Sequence, residues 1–72
     1  MSMIADMRVT VKELIETIRI IDNNSNIKII EEDWKFKIID EEKNEHEFNF
    51  DSEEFIYAVK FLNKIIQDKL NR

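Results

Sequence analysis

The chain has 72 residues, which is enough for one small domain, since domains run from roughly 50 to 200 residues. It contains no Cys and no Gly, and this excludes disulfides, Cys-bearing metal sites, Walker loops, dinucleotide-binding fingerprints and nucleophile elbows. The net charge of -5 argues against direct nucleic-acid binding, which needs a basic face. Hydrophobic residues at 43% nevertheless supply a core, so we expect one globular domain over residues 1–72.

The first predicted element is a helix over residues 11–22. Thr10-Val-Lys-Glu13 has the form of a capping box, and Val9 with Leu14 fits the flanking hydrophobic staple. The apolar residues that follow recur at helical spacing: Val11, Leu14, Ile15, Ile18 and Ile21. Asn23-Asn-Ser-Asn26 predicts the turn that ends the helix.

Residues 1–8 allow two interpretations. Ile4 and Met7 extend the helical stripe that begins at Val11, whereas Met3, Ala5, Met7 and Val9 alternate as in a strand. The sequence does not decide between them.

Three strands are predicted next, over residues 27–31, 34–39 and 45–50, because the apolar period falls to two. A tight turn at Glu32-Asp33 would place Ile29 opposite Phe36 and Ile27 opposite Ile38. Pairing Phe36 with Phe48 and Trp34 with Phe50 leaves a short loop near Asp40–Asn44. We therefore expect an antiparallel meander with Trp34 on its apolar face.

A second helix is predicted over residues 52–70. Asp51-Ser-Glu-Glu54 forms another capping box, and the stripe behind it consists of Phe55, Val59, Leu62 and Ile66. With both helices on one face of the sheet, the fold class is a two-layer α+β domain.

The core of such a small domain is thin, which favours self-association. Five large apolar residues lie off the predicted core faces, and they form a candidate dimer interface: Ile20, Ile30, Ile39, Tyr57 and Phe61.

Acidic residues are concentrated in the middle of the chain. Residues 31–54 hold 11 of the 16 acids, while residues 55–72 carry four bases against Asp68 alone. The predicted topology gathers the candidate partner-binding acids at two ends of the sheet: Glu31, Glu32, Asp33, Asp51, Glu53 and Glu54 at one, and Asp40, Glu41 and Glu42 at the other. Solvated surface and helix capping are the simpler interpretation of these acids. Docking on a basic partner protein is the alternative.

His46, between Glu45 and Glu47, is the residue with the greatest potential for chemistry. Its predicted place at the sheet rim, beside Phe48, favours a half-buried structural role. No serine has a readable His-Asp constellation, and no segment has the alternating ligands and glycine of a calcium loop. We therefore expect no catalytic residue, no metal and no cofactor.

The element order and acidic composition, together with the opening segment Thr10-Val-Lys-Glu-Leu-Ile15, resemble the small phage-encoded anti-CRISPR proteins. The resemblance implies a non-enzymatic inhibitor whose acids cover the basic nucleic-acid groove of a nuclease. The segments that would do so are Glu31–Asp33, Asp40–Glu42 and Asp51–Glu54.

The sequence thus predicts a small acidic binding protein, with a structural or regulatory homodimer as the alternative. Neither a signal peptide nor a membrane span is expected, because no stretch of about 18 apolar residues occurs. The expected location is the cytoplasm, that of a bacterial host if the protein is phage-encoded.

Overall fold

Two long helices flank the strands along the chain. The computed structural model describes residues 3–72, which contain helix α1 (Met3–Ile21), strands β1 (Lys28–Glu31), β2 (Lys35–Ile39) and β3 (Glu45–Asn49), and helix α2 (Ser52–Leu70). The strands pair antiparallel in the order β1-β2-β3. The predicted α+β class and order of elements are confirmed, and α2 has the predicted bounds.

Helix α1 begins eight residues before its predicted start at Val11. Thr10 is not a cap, because its hydroxyl donates to the carbonyl of Asp6 over 3.0 Å inside the helix. Met7 is buried and continues the stripe of Val11, and the sequence has no Gly or Pro to interrupt it. Residues 1–8, for which the sequence left helix and strand as alternatives, are therefore helical from Met3 onward. Residues 1 and 2 lie outside the described residues.

The end of α1 follows the prediction closely. The helix ends at Ile21, and the Asp22 side chain accepts a hydrogen bond from the Asn24 backbone N–H over 3.1 Å. In such a turn the Asp side chain accepts from the backbone N–H two residues further on, which fixes the chain just after the helix. It reverses the chain toward β1.

The β1–β2 hairpin has a register two residues away from the predicted one. Ile29 lies opposite Ile38 and Glu31 lies opposite Phe36. The Glu32 N–H donates to the Lys35 carbonyl over 2.9 Å, so the turn is Asp33-Trp34 and not Glu32-Asp33. A shift of two residues leaves every side chain on its predicted face, because side chains alternate with a period of two.

The prediction that Trp34 faces the core is wrong. Its side chain belongs to the turn and is 75% exposed. β2 accordingly begins at Lys35, one residue later than predicted, and β1 begins at Lys28. Ile27, just before β1, is still fully buried and fills the core position that precedes the strand.

The β2–β3 hairpin has the predicted register. Phe36 lies opposite Phe48, and their rings stack with centroids 5.3 Å apart. The Phe50 N–H donates to the Trp34 carbonyl over 2.9 Å, beyond the end of β3 at Asn49. Phe50 also packs against Phe36, at 4.8 Å between centroids. This aromatic cluster is the apolar centre of the sheet.

Both helices cover the same face of the sheet. The buried core joins residues of both helices with Phe36 and Ile38 of β2, the central strand. Full burial of such a side chain contributes roughly 1.5–3 kcal/mol. α1 contacts β1, α2 contacts β3, and the helices pack against each other.

The two helices run in the same direction. At one end of the molecule, Met7 and Thr10 of α1 face Phe55 and Ile56 of α2 across a groove. At the other end, Lys69 of α2 contacts Asp22, which follows α1. The apolar stretches of both helices are too short or too charged to cross a membrane, a finding that holds for the described residues.

Candidate partner-binding surface

The predicted acids lie at two ends of the sheet. The first acidic end consists of residues 31–33 in the β1–β2 hairpin and residues 51–54 at the start of α2. The backbone bond between Phe50 and Trp34 brings these two segments together. The second acidic end is the β2–β3 turn, residues 40–42, which lies at the opposite end of β2.

Glu31 is held by two bases of α1. Its carboxylate lies 3.1 Å from Lys12 Nζ and 4.0 Å from Arg8 Nη1. Arg8 also donates to the carbonyls of Glu32 and Asp33 over 3.2 Å, and its guanidinium lies over the Phe50 ring. These contacts fasten the hairpin to α1, so Glu31 has a structural role.

Glu32 belongs to a network of charges on the outer face of the sheet, the face without helices. It lies within 4.0 Å of Lys35 and Lys37. Lys35 in turn lies 3.0 Å from Glu47, and this hydrogen bond raises the pKa of Lys35 and lowers that of Glu47. Cross-strand pairs of opposite charge stabilise a sheet, which accounts for these acids.

Asp51 and Glu54 serve the start of α2. The Asp51 carboxylate accepts a hydrogen bond from the Glu54 N–H over 2.9 Å, and this bond lowers the pKa of Asp51. Glu54 accepts from the backbone N–H and the side-chain amide of Asn49. The helix cap predicted at Asp51 is confirmed, although Glu54 reaches back to Asn49 and not to the cap residue.

At the second acidic end, Asp40 and Glu41 also make contacts within the domain. Asp40 Oδ1 accepts from the N–H groups of Glu42 and Asn44, and Asp40 Oδ2 lies 2.8 Å from His46 Nε2. The pKa of Asp40 is lowered chiefly by the hydrogen bond with His46 and next by the hydrogen bond from the Asn44 backbone N–H. Glu41 lies 3.0 Å from Lys69.

His46 is half-buried beside the rim of the core, as predicted. Its ring packs on Phe61 of α2 with centroids 4.5 Å apart, while Asp40 contacts its Nε2. The pair joins the β2–β3 turn to β3 and α2. Among residues 3–72 there is no group of three or more acidic or His side chains arranged to hold a metal ion.

Three of the nine predicted acids have neither an ion pair nor a side-chain hydrogen bond within the part of the chain that the structure describes: Asp33, Glu42 and Glu53. All three are exposed. Asp33 differs from the other two because it adjoins Trp34, an exposed aromatic side chain. Glu32, Asp33, Trp34 and Lys35 line an open concavity of about 430 Å³.

The five apolar residues of the predicted dimer interface do not form one patch. Ile20 is exposed on α1, while Ile30 and Ile39 lie on the outer face of the sheet. Tyr57 is exposed on α2, and Phe61 packs on His46 and against the core. The proposal of a single interface from these residues needs correction, since they lie on three different surfaces.

Sequence reasoning missed the exposure of Trp34 and the long side chains that connect elements. Arg19 donates to the Ile27 carbonyl over 2.7 Å, and Lys69 bridges Asp22 and Glu41. The turn dipeptide Asp33-Trp34 carries one signal that was available, because Asp is common in turns. The contacts that the long Arg and Lys side chains make between elements leave no such signal in the sequence.

No protein-family model, no curated protein and no solved structure matches this chain. The function is therefore inferred from the chain's own surface.

Proposed function

We propose that this protein is a non-enzymatic binding domain that docks on a basic surface of another protein through its β1–β2 turn. Exposure of Trp34 beside Asp33, whose carboxylate has no ion pair among the described residues, is the observation that carries the proposal. Tryptophan is enriched among the residues that dominate binding energy at protein interfaces. A carboxylate beside it selects a partner of positive charge.

The rigidity of the turn supports the same role. Arg8 holds the carbonyls of Glu32 and Asp33, and the Trp34 carbonyl accepts from Phe50. A side chain presented on a fixed backbone loses less conformational entropy on binding than one on a mobile loop. Trp34 is thus preorganised as an anchor.

The chemistry of the partner follows from the charges. An indole face and a carboxylate together suit an Arg or Lys side chain, through cation–π attraction and an ion pair. Basic side chains of this kind line the surfaces that proteins use to hold nucleic acid. An inhibitor of a nucleic-acid-handling protein, as the resemblance to anti-CRISPR proteins implies, is the finer form of this proposal.

The test is a titration of the protein with an Arg-rich peptide, followed by the fluorescence of Trp34, the single tryptophan of the chain. We expect a saturable change that weakens as salt is added, because the contact is electrostatic. Asp33→Lys should weaken binding by at least about tenfold, the size of one charge-assisted contact of about 1.4 kcal/mol.

The matched control is Glu42→Lys, which makes the same charge change at an exposed position of the opposite turn. It should leave the affinity within about twofold, since distant surface charges are screened. Trp34→Ala, measured by calorimetry against Ile30→Ala, separates the anchor from general surface hydrophobicity. Equal losses from Asp33→Lys and Glu42→Lys would refute docking through the β1–β2 turn.

The same variants extend to natural partners. Wild-type protein immobilised on a resin should retain a basic protein from a nuclease-treated bacterial lysate. The Asp33→Lys and Trp34→Ala resins should lose that protein, and the Glu42→Lys resin should keep it. Retention by all four resins would contradict the proposed site.

A further inference from the structure

The helices present a second surface, which faces away from the sheet. On α1 it is formed by Val9, Glu13, Glu16 and Ile20, which share one side of the helix by their spacing. On α2 it is formed by Ile56, Lys60 and Lys64. All seven side chains are exposed, and together they are called the outer helix surface.

The charges of this surface are segregated by helix. Glu13 and Glu16 give α1 a negative ridge, and Lys60 and Lys64 give α2 a positive one. None of the four takes part in an ion pair within residues 3–72. By contrast, Lys12, Lys35, Lys37 and Lys69 each have an acidic partner in the chain.

Each ridge holds a pair of like charges, although opposite charges lie nearby on the same helices: Lys12 and Arg19 near Glu16, and Asp68 one turn beyond Lys64. Lys60 and Lys64 are like charges at a spacing of four residues on one helix, and Glu13 and Glu16 are like charges at a spacing of three. Such pairs destabilise an isolated helix by roughly 0.2–0.5 kcal/mol each. A surface that carries one ridge of each sign is complementary to itself.

The ridges also match along the molecule. Because the helices are parallel, Asp22 and Lys69 mark one level, and they lie 47 residues apart in sequence. The same separation relates Glu13 to Lys60 and Val9 to Ile56. The separation between Glu16 and Lys64 is one residue larger, which corresponds to a shift of about 1.5 Å along a helix.

We propose that two copies of this chain associate through the outer helix surface, about a two-fold axis parallel to the helices. Such an axis lays α1 of each copy over α2 of the other and keeps every residue at its own level. Glu13 then meets Lys60 of the second copy, Glu16 meets Lys64, and Val9 meets Ile56. The contact closes on itself, as an isologous dimer requires.

Charge decides between the two ways of stacking the helix layers. A two-fold axis perpendicular to the helices would lay α1 over α1 and α2 over α2, and so bring like charges together. The parallel axis pairs opposite charges in both halves of the interface. The two longest dimensions of the molecule are 36 and 22 Å, so the face that they bound is comparable in size to the roughly 800 Å² per partner of a specific interface.

The decisive experiment exchanges the charges. Sedimentation equilibrium should give wild type a mass near twice 8.7 kDa at micromolar to millimolar concentration. The variants Glu13→Lys/Glu16→Lys and Lys60→Glu/Lys64→Glu should each raise the dissociation constant at least about tenfold. In a dimer of either variant, the helices that face each other across the interface carry charges of the same sign. An equimolar mixture of the two variants should dimerise again, since all four contacts are then between opposite charges.

The control for Glu13→Lys/Glu16→Lys is Glu42→Lys/Glu45→Lys, which makes the same net change at two exposed positions of the β2–β3 hairpin, away from both helices. It should dimerise like wild type. Circular dichroism should find every variant folded, because all the substituted side chains are exposed. A monomeric wild type would overturn the proposal, as would a mixture of the two exchanged variants that stays monomeric.

A second measurement tests the orientation. The chain has no cysteine, so a Val9→Cys chain mixed with an Ile56→Cys chain should form a disulfide between copies under mild oxidation. Neither chain alone should cross-link efficiently, because the parallel axis separates equivalent positions. Efficient cross-linking of either chain alone would overturn the parallel arrangement.

Discussion

The ammonium of Lys69 donates to the carboxylate of Asp22 over 2.8 Å. Lys69 also contacts Glu41, so one side chain of α2 joins the end of α1 to the β2–β3 turn. The Lys69 side chain is only 4% exposed, and its pKa is raised by the hydrogen bond that it donates to Asp22 and then by the one to Glu41, against the effect of burial. This contact closes the end of the domain opposite the β1–β2 turn.

Replacement of Lys69 by Met should destabilise the fold by about 1–3 kcal/mol, because two carboxylates lose their shared cation. The measurement is urea unfolding at neutral pH and fixed protein concentration. Lys28→Met is the matched control, since Lys28 is exposed on the outer face of the sheet, and it should cost less than about 0.5 kcal/mol. Equal stabilities of the two variants would mean that the Lys69 contacts are dispensable.

Stability should fall in acid, and Asp22 and Asp40 should contribute to this fall together with Glu47 and Asp51, whose pKa values are also lowered. The hydrogen bond from Lys69 lowers the pKa of Asp22 below 3.8, and the contact with His46 lowers that of Asp40. A carboxyl group whose pKa is lowered by folding stabilises the fold above its unfolded pKa, and this contribution is lost as pH falls through the folded value. The free energy of unfolding should therefore begin to drop near the ordinary pKa of 3.8 and continue to drop below it.

Urea titrations from neutral pH to below pH 3.8 measure this slope. Asp22→Asn and Asp40→Asn should each lower stability at neutral pH and flatten the acid decline, while Glu42→Gln should keep the wild-type profile. The contribution of Lys69 to stability has the opposite pH dependence, because folding raises the pKa of Lys69. This contribution should be lost only as the pH rises above 10.5. An unchanged acid slope in both Asn variants would contradict the assignment.

The β2–β3 turn holds a residue in left-handed backbone geometry. Lys43 has φ of 69°, and its N–H donates to the Asp40 carbonyl over 3.0 Å. A side chain with a Cβ atom is strained there, whereas glycine is not. Lys43→Gly should therefore stabilise the fold by about 0.5–1 kcal/mol in urea unfolding.

Lys43→Val is the contrasting variant, because a β-branched side chain tolerates positive φ least well. It should be less stable than wild type. The order of stability Gly, Lys, Val follows from the backbone angle alone, and a Gly variant less stable than wild type would contradict it.

The fold could be predicted from sequence where local chemistry and apolar period agree. Asp51 and Glu54 mark the start of α2, and Phe36 with Phe48 sets the β2–β3 register. The start of α1 could not be predicted, because a Thr10 hydroxyl can cap a helix or bond back to a carbonyl within one. Apolar period does not distinguish these states.

The candidate site was predictable only in part, for a geometric reason. The β1–β2 turn can lie at Glu32-Asp33 or at Asp33-Trp34 without moving any strand side chain to the other face. Alternation therefore cannot tell whether Trp34 is buried or exposed. Arg8 helps to decide it by binding the carbonyls of Glu32 and Asp33, and a contact across 24 residues leaves no local pattern.

The different positions of Trp34 and Phe36 should be visible in their mutational costs. Phe36 is fully buried between Phe48, Phe50 and the helices, whereas Trp34 is 75% exposed in the turn. Phe36→Ala should cost about 3–5 kcal/mol, which removes much or all of the stability of a small domain. Trp34→Ala should cost no more than about 0.5 kcal/mol, because it leaves no cavity.

Urea unfolding followed by circular dichroism measures both changes, since the signal must not depend on the tryptophan. Ile38→Val provides a milder core variant if Phe36→Ala does not fold, with an expected cost of about 0.5–1.5 kcal/mol. Ile38 is fully buried, so it reports on the same core. A Trp34→Ala variant that is destabilised more than Ile38→Val would mean that the indole packs on the core, and the β1–β2 turn would then lose its anchor for a partner.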